Sequence, residues 1–207
     1  MTYTFPGKTC EKVQKEGIAQ PVSFSINMVS VLVLVIGSFV ASRMPVRIVL
    51  LSYALFELWH AWSHAVHIEG TVQYNVVHVL GIIMAVSTLT AIVLLSGKRL
   101  EGWQIGVIAG VMLLDILLFL KLQNTLVSVG TGLGVLVVIM LVCYGMLPEY
   151  FQRGLWFLIV GVVGILGLFM VEARWCEQIE GVPFHALIEV LGLVLFSYLA
   201  YLFIVWD

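Results

Sequence analysis

The sequence predicts an all-α, integral membrane bundle of seven transmembrane helices, and three observations lead there. Hydrophobic residues make up 61% of the chain and charged residues only 11%. The mean hydropathy of +1.09 lies outside the range of soluble domains. Apolar runs of about 18 residues or more recur along the whole length, without the two-residue alternation of barrel strands. A formal charge of −2, spread over short loops, leaves no basic surface for nucleic acid.

A polar tail, residues 1–23, precedes a single seven-helix domain, residues 24–207. The tail shows no apolar core near Met1 of the kind a cleaved leader carries, and Pro21 marks the break into the first helix. Spans are expected at roughly 24–42, 48–67, 76–96, 103–120, 125–146, 154–171 and 184–205. The turn SRMPVR joins the first two, IEGTVQYN with Gly70 leads into the third, and SGKRLEGW into the fourth. Gly130, Gly132 and Gly134, then Gly161, Gly164 and Gly167, have no strand or phosphate-loop context and read as sites of close helix packing. The segment VEARWCEQIEGVPF reads as the loop before the last span.

Spans alternate in direction, so the tail and the loop before the last span share one face of the membrane. Cys10 and Cys176 lie on that face and could pair, which would make it an oxidising one; two free thiols are the other possibility. Cys143, inside the fifth span, reads as a packing residue. Arg43, Arg47, Lys98, Arg99 and Arg153 fall on the opposite face. The positive-inside rule then puts the amino terminus outside and the carboxyl terminus in the cytoplasm.

Chemistry concentrates between Glu57 and His78, in ELWHAWSHAVHIEGTVQYNVVH. At 100° per residue Glu57, His60, Ser63, His64 and His67 fall within roughly 120° of arc, a polar stripe on an otherwise apolar helix. Ionisable groups at membrane depth are costly unless they face the bundle interior or bind something. His60 and His64 read equally well as packed side chains, Glu57 as their hydrogen-bond partner, and Asp115 as half of an interhelical polar pair. His185 and Glu189 open the last span four residues apart, on one helical face. Alternation brings His67, His78 and His185 to similar depth, with Ser63 and Glu189 a turn further in. Two histidines and a carboxylate with an open position form the ligand pattern of hydrolytic zinc.

The spacing SHAVH at the end of the second span, HALIEVLG opening the seventh, CEKVQKEGIAQP in the tail and EARWC before the last span resemble the alkaline ceramidases. These belong to a seven-helix hydrolase superfamily that includes the adiponectin-receptor-like proteins. The resemblance implies zinc on His67 and His185, a carbonyl-polarising role for Ser63, and a disulfide between Cys10 and Cys176. Two positions differ from the family pattern: His78 stands where it has an acid, and Glu189 where it has a second histidine of the last span. In this chain Glu189 would complete the ligand set and His78 would act as proton acceptor or fourth ligand. Lys8, Val13 and Gln20 replace oxygen ligands of the family's calcium site, so calcium is not expected.

The expected function is zinc-dependent hydrolysis, within the bilayer, of the amide of ceramide or a related N-acyl lipid. The location would be the endoplasmic reticulum or Golgi of a eukaryote, or the plasma membrane of a bacterium. A receptor or structural membrane protein that keeps a metal or polar core without turnover is the reading from another class.

Overall fold

The computed structural model describes residues 14, 17–66, 71–122, 125–175 and 184–207, with the side chains of 71–74, 125–127 and 173 excepted. Among them are seven α-helices: α1 Pro21–Val40, α2 Met44–Val66, α3 Thr71–Ser96, α4 Gly102–Leu122, α5 Thr125–Val142, α6 Glu149–Trp175 and α7 Phe184–Trp206. Five stretches are long and apolar enough to cross a membrane: 21–40, 75–96, 102–122, 149–172 and 184–206. The described part of α5 is shorter, and α2 carries the polar stripe, with Glu57, His60, Ser63 and His64 all buried. The outer faces match a lipid surround: Leu32, Ile36 and Phe39 on α1 and Leu114, Leu117 and Leu120 on α4 are all exposed. A water-soluble monomer rarely shows apolar patches of that extent.

Helix ends shift from their expected places in ways that matter. Proline lacks the N–H that a first turn cannot use, so α1 begins at Pro21, within the expected tail. The segment VEARW is not loop, because α6 runs on to Trp175 and carries Glu172 in its last turn. The fifth span ends at Val142 and gives way to a 3₁₀ turn, Tyr144–Met146. His78 sits about two turns inside α3, which starts at Thr71.

Helix α1 packs between α2 and α7; α2 continues to α3, α3 to α5, and α6 lies against α7. Helix α4 packs mainly on α5, while α5 and α6 touch only sparsely. The buried core runs through Tyr53, Ile139, Phe151, Leu155 and Phe203. Polar bridges also cross between helices, from Ser52 to Ser87 at 2.7 Å and from Tyr53 to Thr88 at 3.1 Å.

At one end of the bundle the Asp207 carboxylate accepts from the Ser42 amide and, at 2.7 Å, from the Arg43 amide, tying the end of α7 to the α1–α2 turn. Partial burial alone would raise this carboxyl, but the Ser42 and Arg43 hydrogen bonds outweigh it and hold its pKa below the usual carboxylate value. A depressed folded-state pKa contributes stability above the unfolded value, near 4, that is lost as pH falls through the folded one. Asp207→Ala should therefore lower stability by about 1 kcal/mol at neutral pH, solvent screening keeping the figure small. Thermal melts at pH 7 and in strong acid would read this, and an equal gap from wild type at both pH values would reject it.

Candidate metal centre

The opposite end of the bundle, about 33 Å along α7 from Asp207 at 1.5 Å per residue, gathers four buried groups from two helices. His60 and His64 are one turn apart on α2, and His185 and Glu189 one turn apart on α7. Each offers one ligand atom, and the four atoms lie within 4.8 Å of one another. His64 and His185 have no solvent exposure, and Glu189 is 4% exposed.

Three imidazole nitrogens converge on a single carboxylate oxygen. Glu189 Oε1 lies 3.4 Å from His60 Nε2, 3.3 Å from His64 Nε2 and 2.8 Å from His185 Nε2. Ligand atoms at the corners of a tetrahedron about a metal, each 2.0–2.2 Å from it, are about 3.3–3.6 Å apart. The two α2 contacts have that spacing; the one within α7 is tighter.

The remaining ring nitrogens are held from behind. His64 Nδ1–H donates to Gln20 Oε1 at 2.8 Å, and His185 Nδ1–H donates to Glu172 Oε2 at 2.8 Å. On the far side of His60, Glu57 Oε1 is 3.8 Å from Nδ1. In a neutral ring a donating Nδ1–H leaves Nε2 as the acceptor, and in both cases that atom lies beside Glu189. His64 Nε2, His185 Nε2 and Glu189 Oε1 make no hydrogen bond of good geometry with a described residue. Neutral ring nitrogens crowded on a carboxylate oxygen are offset either by a proton on a ring or by a bound cation. This buried group could hold a metal ion, and backing of the ring N–H by carboxylate or carbonyl is the usual support of metal-bound histidine.

An apolar cavity of about 60 Å³ adjoins the group, with Glu57, His60 and Glu189 in its wall beside Phe56, Phe169 and Phe196. A second, of about 60 Å³, lies next to it and shares Leu133, Ile165, Gly192 and Phe196. Both sit at the sparsely packed seam between α5 and α6.

The expected site residues are distributed as follows. His185 and Glu189 stand together, as their spacing implied. Ser63 is fully buried between the two α2 histidines, but its hydroxyl donates to His60 O at 2.7 Å. His67 lies outside the described residues, as do Cys10 and Cys176, so the proposed ligand and the proposed disulfide are not placed. His78 is not in the group of four. Its Nδ1 lies 3.6 Å from Asp115 Oδ2, and its ring stacks on Phe119 at 3.8 Å. Thr131 donates to the other oxygen of Asp115, so α3, α4 and α5 share a separate polar centre. His60 and His64, which read equally well from sequence as packing residues, are members of the group. Their four-residue spacing, matched by His185 and Glu189, was the signal. Gln20 and Glu172 carried none.

No model of a known protein family matches the chain, and comparisons with curated proteins and with solved structures find no match either.

Proposed function

We propose that the chain is an integral membrane metalloenzyme that hydrolyses the amide of ceramide or a related N-acyl lipid, with zinc on His60, His64, His185 and Glu189. The observation that supports this most is the convergence of three imidazole Nε2 atoms on one carboxylate oxygen at the wall of an apolar cavity. The donor set of imidazoles and one carboxylate suits zinc. When bound, zinc supplies a Lewis acid and lowers the pKa of a water to near 7.

The chain's own residues supply the rest. Gln20 and Glu172 fix the tautomers of His64 and His185. Phe56, Phe169 and Phe196 would receive the acyl chain and keep bulk water from the reacting carbonyl. For Ser63 to polarise that carbonyl, its hydroxyl must turn away from His60 O. With the orientation read from loop charges, the centre faces the lumenal or extracytoplasmic leaflet, where such lipids can enter sideways from the bilayer. The resemblance to alkaline ceramidases points to the same chemistry.

A non-catalytic metal core is favoured by one feature, the four protein donors, since a tetrahedron so filled has no open corner. Turnover of a fluorescent N-acyl sphingoid base by purified, zinc-loaded protein in lipid nanodiscs separates the two. Hydrolysis that falls at least about 10²-fold on chelation and returns with zinc is expected. Zinc-loaded protein inert toward every N-acyl lipid would establish the non-catalytic reading.

A further inference from the structure

We infer that Gln20 is a positioning residue through which the amino-terminal segment holds the metal group, so that metal occupancy and docking of that segment stabilise each other. This rests on the reading that His60, His64, His185 and Glu189 bind a metal. The described part of helix α2 reaches Val66, and carbonyls of that stretch take amide donors from outside the helix. The segment before α1 supplies two: Ala19 N–H donates to Ala65 O and Gln20 N–H to His64 O, each at 3.0 Å. A turn holds these amides in place. Gln14 N–H donates to Ala19 O at 2.8 Å, and Gly17 takes φ 78°, a conformation glycine adopts without strain.

The side chain of Gln20 does something the backbone cap does not require. It is fully buried, and its Oε1 accepts the Nδ1–H of His64 at 2.8 Å. That bond selects the neutral tautomer that leaves Nε2 as an acceptor, 3.3 Å from Glu189 Oε1, and restrains rotation of the ring. A neutral acceptor suits this position, because Glu57, Glu172 and Glu189 already bring three carboxyl groups to the same buried end. Segment, α2 terminus and ligand are thus one hydrogen-bonded unit. Coupling of this kind is reciprocal: if the docked segment tightens metal binding, bound metal holds the segment down by the same factor.

The test uses the full chain in detergent, with zinc affinity measured by competition against a chromophoric chelator and the ligand field read from the cobalt(II) spectrum. Gln20→Leu keeps the approximate size and the backbone cap but removes the acceptor. It should weaken metal binding about 10- to 100-fold, the usual effect of losing a partner behind a ligating histidine. Gln20→Glu, which keeps an acceptor but adds a fourth carboxyl at that end, should recover part of the affinity. In wild type, zinc should slow tryptic cleavage at Lys15, and Gln20→Leu should abolish that protection. Wild-type affinity in Gln20→Leu, or cleavage at Lys15 indifferent to zinc, overturns the inference and leaves the metal centre standing. Wild type that takes up neither zinc nor cobalt overturns both. If Gln20→Leu fails to fold, the zinc dependence of cleavage in wild type still decides.

Discussion

Purified wild type should carry about one zinc per chain, and His64→Ala or His185→Ala should each weaken that binding by at least about 10²-fold. The expectation follows from the position of the two rings. Both are without solvent exposure, both present Nε2 to Glu189, and both have Nδ1 occupied by a neighbour. Loss of a backing partner alone costs roughly 10- to 100-fold in metal affinity, so loss of the ligand itself must exceed that. His67→Ala is the informative companion. The family resemblance makes His67 a ligand, whereas the group of four is complete with His64 in its place. Elemental analysis should find the metal retained in His67→Ala and lost in His64→Ala. The reverse result would put His67 in the site in place of His64 and reject the group as drawn.

That ambiguity shows where sequence reasoning stops. His64 and His67 fall in the same arc of a helical projection of the sequence, so periodicity assigns both to one face and cannot choose between them. The choice depends on depth. At the depth of His64, α7 brings His185 and Glu189 alongside. The case of His78 is complementary. Counting residues put it at the depth of His185, but depth says nothing about position around the bundle. In the bundle His78 lies beside Asp115 instead, to which Thr131 also donates. Helix number and the pairing of His185 with Glu189 were legible because both depend on local periodicity. Gln20 and Glu172 were not, since each joins the site only through a contact between helices, Gln20 across 44 residues and Glu172 across 13. Glu172 was further obscured by the reading of VEARW as loop.

The glycines offer the sharpest contrast between pattern and packing, and they carry the second large effect. Gly161, Gly164 and Gly167 are spaced alike on α6 and read alike in sequence. In the bundle they differ. A methyl group at Gly161 would overlap Leu195 of α7, meeting even its Cγ at 3.0 Å; at Gly164 it would touch Leu191 at 3.6 Å; at Gly167 it would meet nothing within 4 Å. Leu195 is itself buried, and its one relief is to swing into the apolar cavity that it lines. Gly161→Ala should therefore destabilise by about 1–3 kcal/mol, the usual scale of overpacking. Gly167→Ala should be neutral or up to about 1 kcal/mol stabilising, because alanine is the better helix former and nothing opposes it. The first change also bears on the metal centre. Helix α6 holds Glu172 and α7 holds His185, so parting the helices at Gly161 strains the 2.8 Å bond between them. Thermal melts of both variants, with and without zinc, provide the measurement. Gly161→Ala should lose melting temperature and part of its zinc-dependent stabilisation, whereas Gly167→Ala keeps both. Equal behaviour of the two variants would mean that α6 and α7 are not packed through Gly161, and the support of His185 by Glu172 would fall with it.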